Sequence, residues 1–251
     1  MRKIHVANPN SSAQMTRAIE RLARRVASHE TEVVVTAGTE APASIEGYTD
    51  QAASVPGLLK RIREFERVGV GAHVIACFDD PGLDAAREVA SVPVVGMCEA
   101  AMIAACRLSK RFSVVTSLAR SVAIVEDLAE SYGCGRRLIR VHHADLPVLE
   151  LHLPEARDKL VATLARVAKV DSAEAVVLGC SGMSADASAL SKAAGVEVID
   201  GLSFSVKLAE AFASLDMRTS KTNTYAAPRS KPGALFPADT INADYAAKLS
   251  H

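Results

Sequence analysis

This 251-residue chain has no excess of charge of either sign. Lys plus Arg and Asp plus Glu each total 29, the formal net charge is zero, and no long single-sign block occurs. That balance argues against a nucleic-acid backbone or an anionic membrane as the main partner. No segment is apolar enough to span a bilayer, and the opening Met1-Arg2-Lys3 leads into a strand-like run broken at Pro9, too short for a secretion signal. The cytoplasm is the expected compartment. Aromatic residues are only 4% of the chain, yet hydrophobic residues reach 49%, so one large domain or two smaller ones can bury a substantial core.

Several chemical signatures are missing too. The five cysteines, Cys77, Cys98, Cys106, Cys134 and Cys180, form no CxxC pair and are odd in number, so they read as reduced thiols. Zinc sites want closely spaced Cys and His ligands, whereas His142 and His143 are adjacent in a strand and point to opposite faces. No metal site is expected. "GVGAH" near Gly69 precedes a strand instead of following one, and there is no Walker sequence, so nucleotide and dinucleotide cofactors find no fingerprint. A phosphatase loop would need arginine six residues past Cys77, where Leu83 stands.

What is present is a regular alternation. Eight apolar runs of strand length, "KIHVANPN", "EVVVTAG", "AHVIACF", "PVVGM", "FSVVTS", "LIRVHH", "AVVLGC" and "VEVIDG", alternate with stretches of helical spacing such as "MTRAIERLARRVASH". Continuous Val/Ile-rich runs between helices predict strands buried on both faces of mainly parallel sheets, hence an α/β protein.

The runs fall into two sets of four, and the third of each ends in cysteine, "VIACF" at Cys77 and "VVLGC" at Cys180. The first of each set, "HVANPNSS" and "VVTSLARS", runs from apolar residues into hydroxyl and amide side chains that can open a helix. Two pseudo-symmetric lobes are predicted, each a four-stranded sheet flanked by helices. The first takes residues 1–97 completed by 206–251, the second 98–205. Open parallel sheets bind ligands beyond the carboxyl ends of their strands, which places both cysteines in one cleft between the lobes.

Cys77 precedes "DDPG" and a helical run, whose positive end favours thiolate, while Asp79 and Asp80 oppose it. Cys180 precedes "SGMSADASAL", where Gly182 allows a tight turn and Ser184 can cap the next helix. Cys98 and Cys106 have the helical spacing of buried residues, and Cys134 sits in a turn. His73, a tempting base, lies at the far end of the Cys77 strand. Two thiols facing one another suit the inversion of a carbon centre, which requires one acid/base group on each face.

The motifs "NPNSS" at Asn8–Ser12, "PASIEG" at Pro42–Gly47, "CFDDPGLDAARE" at Cys77–Glu88 and "LGCSGM" at Leu178–Met183 resemble the hydantoin racemase family of the aspartate/glutamate/hydantoin racemase superfamily, which includes allantoin racemases. "FSVVTS" and "VIDGLSFSVKLAE" extend the resemblance to about Lys221. It implies a cofactor-independent racemase of 5-substituted hydantoins, or of allantoin, with Cys77 and Cys180 as the two acid/base residues. It further implies that Asn8, Thr116, Ser117, Ser181 and Gly182 bind the polar ring edge, that Ile45 and Phe78 lie against the 5-substituent or ring, and that the chain forms a homo-oligomer. The sequence departs from the family at Asp79, where a small residue is commoner, at Ser181, commonly alanine, and at Cys98, commonly glycine. A ligand-binding protein with the same cleft is the non-enzymatic alternative. From about Thr219 the chain loses periodicity and is expected to wrap the surface or fray.

Overall fold

A computed structural model describes residues 2–184 and 186–236 of the chain. The expected eight strands form two separate four-stranded sheets with every pairing parallel. The first contains β1 (Arg2–Asn8), β2 (Thr31–Ala37), β3 (Ala72–Ile75) and β4 (Val94–Gly96), in the order β2-β1-β3-β4. The second contains β5 (Phe112–Thr116), β6 (Leu138–His143), β7 (Ala175–Gly179) and β8 (Glu197–Asp200), in the order β6-β5-β7-β8. The order is the same in both.

Among the described residues eight α-helices connect and cover the strands: α1 (Ala13–Val26), α2 (Tyr48–Arg67), α3 (Leu83–Val89), α4 (Met97–Leu108), α5 (Val122–Ser131), α6 (Pro154–Asp171), α7 (Ala187–Ala194) and α8 (Gly201–Ser214). Central β5 and β7 are buried at every position, as continuous apolar runs require when helices cover both faces. Edge strands β2 and β6 are only partly buried. α8 leaves the second sheet and packs on α4, α1, β1 and β3.

The shared order dictates where a crevice opens. After β1 the chain crosses to β2 on one side, and after β3 it crosses to β4 on the other, so the connections leaving these neighbours diverge. The same divergence follows β5 and β7. Ligands of open parallel sheets bind at such switch points. Ala7 pairs with Ile75 and Thr116 with Gly179, which brings the segments after these strands to one level in each sheet.

Past α8, the described part of the tail wraps the surface. Thr219 donates through its N–H to the Ser91 carbonyl and through its hydroxyl to the Val92 carbonyl (3.0 and 2.8 Å). Lys221 Nζ donates to the carbonyls of Arg87 and Glu88 near the end of α3 (2.7 and 2.9 Å), and Tyr225 Oη to Asp84 Oδ1 at its start (2.8 Å). The remainder, residues 237–251, lies outside the described residues. Among the described residues no helix is long and apolar enough to cross a membrane.

Candidate active site

Cys77 stands just past β3, at the start of a turn closed by Asp80 N–H to the Cys77 carbonyl (3.1 Å) and Leu83 N–H to the Asp80 carbonyl (3.2 Å). Asp80 and Gly82 both have positive φ, 42° and 67°, which glycine adopts without cost and aspartate tolerates. The Asp80 carboxylate is fixed by the N–H groups of Cys98 and Glu99 in the first turn of α4 (3.1 and 2.9 Å) and by Tyr132 Oη (2.8 Å). A side chain at Gly96 would collide with that carboxylate, so glycine there makes room for it. Tyr132 follows α5, so the hydrogen bond to Asp80 ties the second sheet's layer to the Cys77 turn.

Cys180 stands just past β7, at the start of a 3-10 turn over Ser181–Met183 in which Met183 N–H reaches the Cys180 carbonyl (3.0 Å). In both places the backbone N–H two residues beyond the cysteine acts to lower the thiol's pKa, that of Asp79 on Cys77 and that of Gly182 on Cys180. The duplicated strand ends thus carry duplicated sulfur sites. Ser184 does not cap the next helix as expected. Asp186 does, accepting the Ala189 N–H (3.1 Å), because Ser184 is buried in the preceding turn and its hydroxyl finds no partner there.

Both thiols line one cavity with Asn10, Met15, Ile45, Phe78, Asp79, Thr116, Ser117, Ser121, Val148, Gly179 and Ser181. It encloses about 20 Å³, room for a single water. Burial pushes the Cys77 thiol well above the usual range, and the Asp79 carboxylate adds to this. Burial likewise pushes Cys180 up to about 12, with Asp79 and Glu46 contributing in the same direction. The expected thiolate-favouring pull of α3 on Cys77 therefore does not prevail. That helix begins only at Leu83, capped by Gly82, whereas burial and Asp79 act on the sulfur directly. Charge on either sulfur is felt by the other.

Of the residues expected at the site, Ile45, Phe78, Thr116, Ser117 and Ser181 join the two cysteines around the cavity. Asn8 does not reach it. Fully buried, it donates to Asn10 Oδ1 (3.0 Å) and Thr16 Oγ1 (2.9 Å) and accepts the Asn10 N–H (3.3 Å), so it holds Asn10, which does line the wall. Gly182 lies behind the wall against Leu151, and its N–H acts to lower the Cys180 pKa. Sequence reasoning also missed Asn10, Met15, Ser121 and Val148. The first and third lie within "NPNSS" and "TSLARS", where a signal existed. Met15 and Val148 come from a helix and a 3-10 turn with no local mark of function.

The histidines lie elsewhere. His73, at the start of β3, is fully buried and contacts His5 Nδ1 (2.9 Å) and Glu66 (3.3 Å). His142 bonds Asp171 (2.7 Å) and His143 bonds Asp145 (2.9 Å), as adjacent residues on opposite faces of a strand can. Among the described residues no group of three or more His, Cys, Asp or Glu is arranged to hold a metal ion.

Comparison with known proteins places the chain in a family. Residues 4–209 match the family model described as Asp/Glu/Hydantoin racemase. A hydantoin racemase of Rhizobium meliloti is 52% identical over 233 residues, 92% of this chain and 97% of that protein. The structure of an allantoin racemase from Klebsiella pneumoniae superposes with a TM-score of 0.90 at 42% identity, covering 93% of this chain and 96% of that one. An allantoin racemase from Pseudomonas fluorescens superposes with a TM-score of 0.88 at 32% identity, covering 92% and 99%.

Proposed function

Because this chain belongs to the Asp/Glu/hydantoin racemase family and is an isomerase of the racemase type, we propose that it racemises 5-substituted hydantoins by two-base proton transfer between Cys77 and Cys180. The observation that carries the reading is the pair of thiols on equivalent strand ends, lining one cavity. No lysine or arginine is among the described residues that line this cavity. A neutral cyclic ureide suits such a wall better than an amino acid, whose carboxylate would meet Asp79 without a compensating cation.

In the proposed reaction one sulfur is thiolate and the other thiol. The thiolate removes the C5 proton, which the flanking carbonyl acidifies, and becomes a thiol as the C–H pair moves into the ring as an enolate. Hydroxyls of Ser117, Ser121 and Ser181 are the donors available to the developing oxyanion, since that of Thr116 donates to the Gly179 carbonyl (3.2 Å). The opposite thiol returns a proton to the other face of C5 and is left as thiolate, so protons balance and the enzyme ends poised for the mirror-image substrate. The amide N–H at each sulfur stabilises whichever thiolate is present. No cofactor takes part in this scheme. The lobe boundaries at 97/98 and 205/206, the cytoplasmic setting and a homo-oligomeric state belong to the same proposal.

Allantoin is the second reading, favoured by the structural likeness to two allantoin racemases. The test is the decay of optical rotation of enantiopure 5-substituted hydantoins and allantoin, against a no-enzyme control. Decay without added cofactor is expected, and Cys77→Ser and Cys180→Ser should each abolish it, since a serine hydroxyl is far too weak a base near neutral pH. Each single variant should still exchange the C5 hydrogen of one enantiomer with solvent. Full racemisation by either variant would sink the two-base assignment, and no decay with any substrate would favour a binding protein.

A further inference from the structure

The proton transfers above leave one acidic group of the cavity unused. Asp79 is buried, lines the cavity two residues past Cys77, and accepts a hydrogen bond from Gln51 Nε2 of α2 at its Oδ2 (3.0 Å). No cation is among the described residues lining the cavity with it. A buried carboxylate with a single neutral donor is costly to maintain, and the cost is not offset by any ion pair across this wall. Both sulfurs feel its charge.

The wall is also divided. Thr116, Ser117, Ser121 and Ser181 all come from the ends of β5 and β7 or the turns beyond them, so the second half supplies the hydroxyls. The first half supplies Asn10, Met15, Ile45 and Phe78, and next to Phe78 in the chain Asp79, held by Gln51. A ring whose polar edge meets the hydroxyls turns its 5-substituent toward the mainly apolar wall of Met15, Ile45 and Phe78, where Asp79 is the one charged group. A short apolar stem ending in positive charge complements that surface, and would also ease ionisation of the two thiols.

Resting on the racemase reading above, we infer that Asp79 is a specificity-determining residue that selects hydantoins whose 5-substituent ends in a cationic nitrogen, with neutral N–H donors next and purely apolar chains last.

The experiment compares kcat/KM for 5-(4-aminobutyl)hydantoin and 5-pentylhydantoin, which differ by an ammonium in place of a methyl group, with allantoin as the neutral donor. The full-length wild type is expected to favour the aminobutyl compound by about tenfold, or about 1.4 kcal/mol. In Asp79→Asn that ratio should fall by about fivefold or more, mainly through KM of the aminobutyl compound, and Asp79→Glu should retain the wild-type order. Because both substrates are measured on the same preparation, a partly unfolded variant does not distort the ratio. If turnover by Asp79→Asn is lost, equilibrium binding of the same two compounds supplies the ratio. Equal or better turnover of the pentyl compound by wild type, or an unchanged ratio in Asp79→Asn, overturns the inference. Failure of wild type to racemise any of the three overturns the racemase proposal instead.

Discussion

Asp79 is a residue the fold tolerates rather than one it needs. Burial raises its carboxyl from 3.8 to about 6, partly countered by the Gln51 hydrogen bond. A carboxyl whose pKa is higher in the folded than in the unfolded chain binds protons more tightly when folded, so its contribution to stability falls as pH rises from about 4 to about 6 and stays low above that. Asp79→Asn keeps an oxygen for Gln51 and removes the buried charge. It should therefore stabilise the protein at pH 7.5 by about 1–3 kcal/mol, and the gain should shrink below pH 4. Thermal unfolding at the two pH values checks this, and a variant less stable at pH 7.5 would contradict it. The charge of Asp79 was legible in the sequence beside Cys77. Its place facing both sulfurs was not, because Cys180 arrives from a strand a hundred residues later.

Among the elements, α1 shows how a motif and a helix end cooperate. Ser12 caps it by accepting the Met15 N–H (3.2 Å), while Asn10 Oδ1 accepts the Ser12 N–H (3.0 Å) and the Asn8 amide (3.0 Å). The cap is thus continuous with the cavity wall. Ser12→Ala should cost about 1 kcal/mol, read as a lowered denaturation midpoint, and should leave KM little changed because Asn10 keeps the Ser12 N–H and the Asn8 amide. The hydroxyls after β1 were readable as a helix opening for this reason. The end of the matching turn after β7 was misread, since Ser184 and Asp186 are both plausible caps in a linear sequence and only burial distinguishes them. Strands were the most legible elements, because burial on both faces leaves few polar positions to interrupt the apolar run.

At the scale of the whole molecule, the two halves meet around the cavity that both thiols line. Tyr132 Oη and Asp80 join the halves beside that cavity. Burial raises the Asp80 carboxyl to about 7, with the Glu99 and Tyr132 hydrogen bonds opposing the shift. Tyr132→Phe removes one donor from this buried acid. It should cost about 1–3 kcal/mol and lower kcat by loosening the Cys77 turn, checked by thermal melts and steady-state kinetics. An unchanged kcat would show that the turn does not depend on the tie. The expected homo-oligomer is checked by light scattering, where a mass above 26.5 kDa is required.

Composition and periodicity by themselves determined the α/β class, the eight strands and their division into two like sets, because strand burial and helix amphipathicity are written into neighbouring residues. The matched cysteines were visible for the same reason, each being the last residue of a local pattern. Only the tertiary structure decided that Asn10 and not Asn8 lines the cavity, that Met15, Val148 and Asp79 share it, and that both thiols are driven toward the neutral form. Those outcomes depend on what lies across space from each side chain: burial, charge and room at a strand end are set by segments the sequence keeps far apart.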